Sequence, residues 1–212
     1  MAVVNTDGIL FDMDGTVWDN TGVFAKAWMR GAKDQGIEAP MSADILKSLF
    51  GKTMKDIADT WLPDVEPSKR YETLEICERY EMDDLRSSDE DTCYEGLEDA
   101  LKAIYGKIPM YIVSNCQSGY IETFYEMTGL GKYFEDFLCY GDNGLGKADN
   151  IRNMVDKHGI KNAVYFGDIQ ADQIASSEAG VDFIWAAYGY GKNVQGAVGT
   201  AYTVSDLPKL VL

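Results

Sequence analysis

The chain has 212 residues, 46% of them hydrophobic and 25% charged. That is enough apolar material to bury a core without disulfides or a structural metal, in a length that suits one domain plus an insertion. Asp and Glu number 35 against 19 Lys and Arg, a net charge of −16, which repels phosphodiester backbones and anionic lipid and so excludes nucleic acid and membrane surfaces as partners. Cys77, Cys93, Cys116 and Cys139 are scattered, with no CxxC pair and a single histidine, His158, so zinc and thioredoxin-type sites are excluded and reduced thiols in the cytoplasm are expected.

Neither a positively charged leader nor a run approaching ~18 apolar residues is present, and a cytoplasmic protein is expected. Gly8-Ile9-Leu10-Phe11 is a short apolar run ending at Asp12, the pattern of a buried strand emerging at a sheet edge. Residues 22–85 contain no convincing strand. Ser42 and Thr53 are placed to cap helices running to Phe50 and Trp61, and Pro67-Ser68 opens a longer helical pattern through Asp84. Polar residues 86–91 then read as a linker.

Beyond it the pattern changes to strand–helix alternation. Strands are expected at 110–113, 137–140, 163–166 and 183–186, and helices at 97–105, 120–128, 147–158 and 171–178. His158 closes one of these helices, as a surface or capping residue. The alternation predicts an α/β fold, a doubly wound parallel sheet whose reactive residues gather at the carboxyl ends of its strands.

Those ends carry Asp12 and Asp14, then Ser114 and Asn115, then Asp168 and Asp172, with Lys147 opening a helix between the last two sets. Clustered carboxylates repel one another and call for a hard cation; Mg²⁺ prefers oxygen ligands and leaves positions open for a phosphate. A lysine, a hydroxyl and backbone amides suit the remaining phosphate oxygens. The set fits phosphoryl transfer, in which catalysis is mainly positioning and charge neutralisation.

Phe11-Asp12-Met13-Asp14-Gly15-Thr16 resembles the DxDGT signature of the haloacid dehalogenase-like superfamily. Ser114 after a strand, the lone Lys147 and Gly167-Asp168-Ile169-Gln170-Ala171-Asp172 resemble its other three motifs, in the same order. The resemblance implies a Rossmann-type core with an inserted helical-bundle cap, and the branch that holds phosphoglycolate phosphatases and β-phosphoglucomutases. It makes Asp12 the nucleophile that forms an aspartyl-phosphate and Asp14 the general acid and then base. Ser114, Asn115 and Lys147 would hold the phosphoryl group. Asp12, the Asp14 carbonyl and Asp168 would bind Mg²⁺, with Asp172 supporting the metal directly or through water. It divides the chain into a core of 1–16 and 89–212 and a cap of 17–88, where Lys52 and Thr53 match a substrate-specificity loop. The expected substrate is a small phosphorylated metabolite.

Rival readings separate on single residues. Residues 141–147 match most of GxxxxGK, but Ala148 stands where a nucleotide-binding P-loop needs Ser or Thr. Asp14 argues against halide displacement, which has no use for a second acid. A sugar phosphomutase of the β-phosphoglucomutase type carries a histidine early in its cap, whereas 21–26 has none. An inactive binding module is disfavoured by the intact motif set. Cys116, beside carboxylates, is read as a packed thiol rather than a reactive one.

Overall fold

The computed structural model describes residues 3–212. The chain divides into two compact units, Met1–Trp18 with Cys93–Leu212, and Asp19–Thr92. Val17 and Trp18 thus belong to the first unit, and 89–92 to the second. In chain order, β1 (Gly8–Phe11) is followed by α1 (Thr21–Asp34), α2 (Ala43–Leu49), α3 (Met54–Trp61) and α4 (Pro67–Ser87). There follow α5 (Leu97–Ile104), β2 (Met110–Ser114), α6 (Tyr120–Thr128), β3 (Asp136–Cys139), α7 (Tyr140–Asn143) and α8 (Lys147–His158). The chain ends with β4 (Ala163–Gly167), α9 (Gln170–Glu178), β5 (Asp182–Ala186), β6 (Gly199–Ala201) and α10 (Leu207–Val211).

The first unit is built on six strands in the order β3-β2-β1-β4-β5-β6, every neighbouring pair parallel. The chain fills the sheet to one side of β1 and then to the other, so β1 sits where the strand order reverses. Ligand crevices form at that position in open α/β sheets. Strand periodicity sorts the side chains. Leu10, Tyr111, Val113, Tyr165 and Phe183 share one face and pack with Ile151 and Met154 of α8. Phe11 turns the other way, edge-on to Phe166 at 5.6 Å and to Phe134 at 5.5 Å. Both faces are buried, which is why β1 reads as an unbroken apolar run.

The second unit is four helices. The Ser42 and Thr53 hydroxyls accept the N–H of Ile45 and Asp56, capping α2 and α3 as their positions foretold. Trp28 of α1 packs against Trp61 with ring centroids 5.1 Å apart and planes tilted by 42°, and its Nε1 donates to the buried Glu81 of α4 at 2.6 Å. These two tryptophans are packing residues.

One expectation is corrected. Tyr140 opens the helical turn α7 instead of ending β3. Residues 141–143 of the glycine-rich stretch lie in that turn, and 144–146 lead into Lys147 at the start of α8. Gly141 serves close packing, since a Cβ there would collide with the backbone N of Ser118.

Candidate active site

The register delivers the motif residues to one edge. Phe11 pairs with Ile112 of β2 and with Phe166 of β4. Asp12, Ser114 and Asp168 therefore emerge together at the carboxyl ends of three adjacent strands. Asp12 still belongs to the ladder, its N–H donating to Phe166 O at 2.9 Å. Lys147 is the first residue of α8, and Asp172 lies in the first turn of α9.

Four charged side chains meet there, all nearly sealed from solvent. Lys147 Nζ donates to Asp172 Oδ1 at 2.6 Å and lies 2.9 Å from Asp12 Oδ1. Asp172 Oδ2 accepts the backbone N–H groups of Asp168 (3.0 Å) and Ile169 (3.1 Å), which ties the entry of α9 to the lysine. Asp168 Oδ2 accepts the N–H of Tyr190 at 2.6 Å, and Trp185 Nε1 donates to the Asp168 carbonyl at 2.9 Å.

Burial and mutual repulsion strain this cluster. Burial pushes the Asp12 carboxyl up to about 6, against the pull of Lys147 and with Asp172 adding to the rise. Burial raises Asp168 well above the carboxylate range, helped by Asp172 and Asp12. Burial by itself would lower the Lys147 ammonium, but Asp12 and Asp172 override it and hold the group well above its ordinary value. These upward shifts, of carboxyls and ammonium alike, describe a desolvated anionic cluster that one internal cation does not neutralise.

Oxygens of Asp12, Asp168 and Asp172 lie within 4.8 Å of one another, and all three residues are buried. When all four groups are ionised, three carboxylates against one ammonium leave two negative charges uncompensated among them, the complement of a divalent cation. All the donors are hard oxygens, which suits Mg²⁺. The Asp14 carboxylate is not one of the three.

Asp14 follows the strand in a tight turn in which the N–H groups of Thr16 and Val17 donate to Met13 O and that of Gly15 donates to Trp18 O. Gly15 has φ +81°, and a Cβ on it would collide with Asp168 Oδ2. Only glycine lets the first loop pass this close to the fourth motif. The Asp14 Oδ1 atom accepts the hydroxyl proton of Tyr120 at 2.6 Å. Ser114 is buried at the end of β2, followed by the half-buried Asn115.

Cys116 is buried, and its thiol is pushed well up by that burial and then by Cys139 and Asp14, with Ser114 pulling the other way. It is a packed thiol. Lys52 and Thr53 lie in the helical unit. Lys52 Nζ donates to Thr60 Oγ1 at 3.2 Å, and Thr53 is the α3 cap.

Sequence reasoning missed Tyr120, Tyr188, Tyr190 and Trp185. Tyr188 donates its hydroxyl proton to Thr16 O at 2.7 Å and so supports the first loop. The only signal for the last three is their place directly after, or in, a strand that ends at the reactive edge.

Residues 9–186 match the family described as haloacid dehalogenase-like hydrolase. No curated protein sequence matches the chain. Similar solved structures include one named a predicted phosphatase from Clostridium acetobutylicum, 23% identical with TM-score 0.79, covering 97% of each chain. Another, from Haemophilus somnus, is named a predicted phosphoglycolate phosphatase, at 18% identity and TM-score 0.82 over 96% of each chain. CbbY from Rhodobacter sphaeroides, solved in complex with phosphate, is 18% identical with TM-score 0.82, covering 95% of this chain and 96% of its own.

Proposed function

Because the chain belongs to the haloacid dehalogenase-like hydrolase family, we propose that it hydrolyses phosphomonoesters of small metabolites through an aspartyl-phosphate on Asp12, with Mg²⁺ as cofactor. The observation that carries this reading is the placement of Asp12. It ends the central strand with Lys147 Nζ 2.9 Å from Oδ1 and with Asp168 and Asp172 beside it. A carboxylate held beside an ammonium can act as a nucleophile toward phosphorus, the cation offsetting the negative charge of an approaching phosphoryl group.

Asp12, Asp168, Asp172 and the Asp14 carbonyl would hold Mg²⁺, which when bound neutralises the excess negative charge and lets a phosphate approach. The Asp12 carboxylate attacks phosphorus, and the bond to the ester oxygen breaks as Asp14 delivers a proton to that oxygen. Water then attacks the phosphoryl group, losing its proton to Asp14, and the Asp12–phosphorus bond breaks to release phosphate. Ser114, the Asn115 backbone and Lys147 hold the phosphoryl oxygens through both steps. Selectivity for the leaving group is assigned to the helical insertion, with Lys52 as its cation and Thr53 shaping the loop.

Release of phosphate from an aryl phosphate, with and without Mg²⁺, tests the reaction, and acid-quenched labelling tests the intermediate. Turnover should vanish on chelation and return with Mg²⁺. Asp12→Asn should lose both turnover and the acid-stable label. Normal turnover by Asp12→Asn would exclude carboxylate attack.

A further inference from the structure

A phenol is bonded to the side chain that the reading above makes the proton donor. Tyr120 is the first residue of α6, set there by Gly119 at φ +84°, and it is 1% exposed. Its ring is fixed on one side by Trp18, centroids 5.0 Å apart. Trp18 is in turn wedged edge-on against Phe124, one turn further along α6, at 4.9 Å. The hydroxyl reaches 106 residues back along the chain to Asp14 Oδ1, at 2.6 Å.

A buried phenol needs a hydrogen-bond partner, and a neighbouring backbone carbonyl would satisfy it. Here the partner is instead a carboxylate on the loop that carries Asp12. That loop's backbone is already pinned by its own turn hydrogen bonds. What the turn leaves undetermined is the rotation of the Asp14 side chain, and the phenol acts on that rotation.

We infer that Tyr120 is a positioning residue for Asp14. It holds Oδ1 as an acceptor, so the transferable proton is carried on Oδ2 and is aimed at the ester oxygen. The inference rests on the acid role proposed for Asp14 and adds the residue that sets its aim. Misplacing a proton donor by a fraction of an ångström lowers transfer without removing the donor, so the effect of losing the phenol should be part of the ~10²–10⁴-fold that general acid catalysis contributes.

The test uses Tyr120→Phe, which keeps the ring packed on Trp18 and removes only the hydroxyl. Its kcat/KM is measured with a simple alkyl phosphate and with p-nitrophenyl phosphate. This parameter reports the steps through phosphorylation of Asp12, and an acidic phenol leaves without needing a proton. The ratio of the two values for one preparation is independent of how much of the protein is folded.

The expected result is a fall of roughly tenfold or more in the alkyl-to-aryl ratio, carried by kcat more than by KM. Asp14→Asn should show the same pattern more strongly, and Asp14→Asn with Tyr120→Phe should be no worse than Asp14→Asn alone. An unchanged ratio in Tyr120→Phe, while Asp14→Asn still changes it, overturns the positioning role and leaves the acid role standing. An unchanged ratio in Asp14→Asn overturns the acid role and this inference together.

Discussion

Asp168 shows how far the needs of the site and of the fold diverge at a single residue. Its carboxylate is 1% exposed and faces Asp12 and Asp172 within 4.8 Å, and burial with these neighbours lifts its pKa well above the ordinary range. A raised carboxyl is favoured protonated in the folded state, so at neutral pH its charge works against folding, and the penalty is relieved as pH falls. Asp168→Asn removes that charge and keeps an oxygen to accept the Tyr190 N–H. In chelator the variant should be more stable than the natural chain, by on the order of 1 kcal/mol, about 2–4 °C in Tm at this chain length. Adding Mg²⁺ should raise Tm for the natural chain and not for the variant, because a ligand stabilises only the state that binds it. Phosphatase activity should be lost in the variant. A variant less stable than the natural chain in chelator would refute the charge argument.

At the scale of the element, α8 is anchored at both ends by charge. Its first residue, Lys147, reaches the site, and its last turn places Lys157 Nζ 2.6 Å and His158 Nε2 2.7 Å from Asp136 Oδ2, at the start of β3. Burial acts to raise the Asp136 carboxyl, but Lys157 and then His158 outweigh it and leave the pKa lowered. A lowered carboxyl contributes stability that is present above its unfolded value and lost as pH falls through the folded one. Asp136→Asn should therefore cost roughly 0.5–1 kcal/mol at neutral pH. Chemical denaturation of the two proteins should show that gap closing as the medium is acidified below the carboxylate range. A gap that stays constant with pH would place the loss in packing.

The same elements show what the sequence could and could not disclose. The apolar run ending at Asp12, the caps at Ser42 and Thr53 and the helix opened by Lys147 are legible because each follows from local chemistry. β6, three residues of Gly-Thr-Ala, has no apolar run to announce it and exists because β5 offers an edge. Tyr120 at the start of an amphipathic helix reads as core, and nothing in its neighbours reveals that its hydroxyl meets Asp14 across 106 residues. The hold on Asp168 by Tyr190 is a backbone N–H, which no residue letter encodes.

For the whole molecule, the decisive fact is that each unit closes its own ends. Trp18 pairs with Cys93 in an antiparallel bridge and Tyr94 donates to Val17 O, within the first unit. Within the second, Asp19 donates to Thr92 O at 2.8 Å. Excising Asp19–Thr92 and joining Trp18 to Cys93 through a two-residue turn should therefore leave a chain that unfolds cooperatively and still shows Mg²⁺-dependent stabilisation, since a short closure is cheap in entropy. Loss of cooperative unfolding would show that the sheet unit depends on the insertion. The strand order has a further consequence, for the order of synthesis. β1, the central strand, is translated first, while its neighbours β2 and β4 begin at Met110 and Ala163. At ~5–20 residues per second, the second of these partners leaves the ribosome about 10–30 s after β1. The helical unit is one contiguous stretch, Asp19–Thr92, so it is complete in the nascent chain before β2 emerges, while Gly8–Phe11 waits unpaired. During growth of the nascent chain, an apolar segment that waits long for its partners is thus one that ends fully buried.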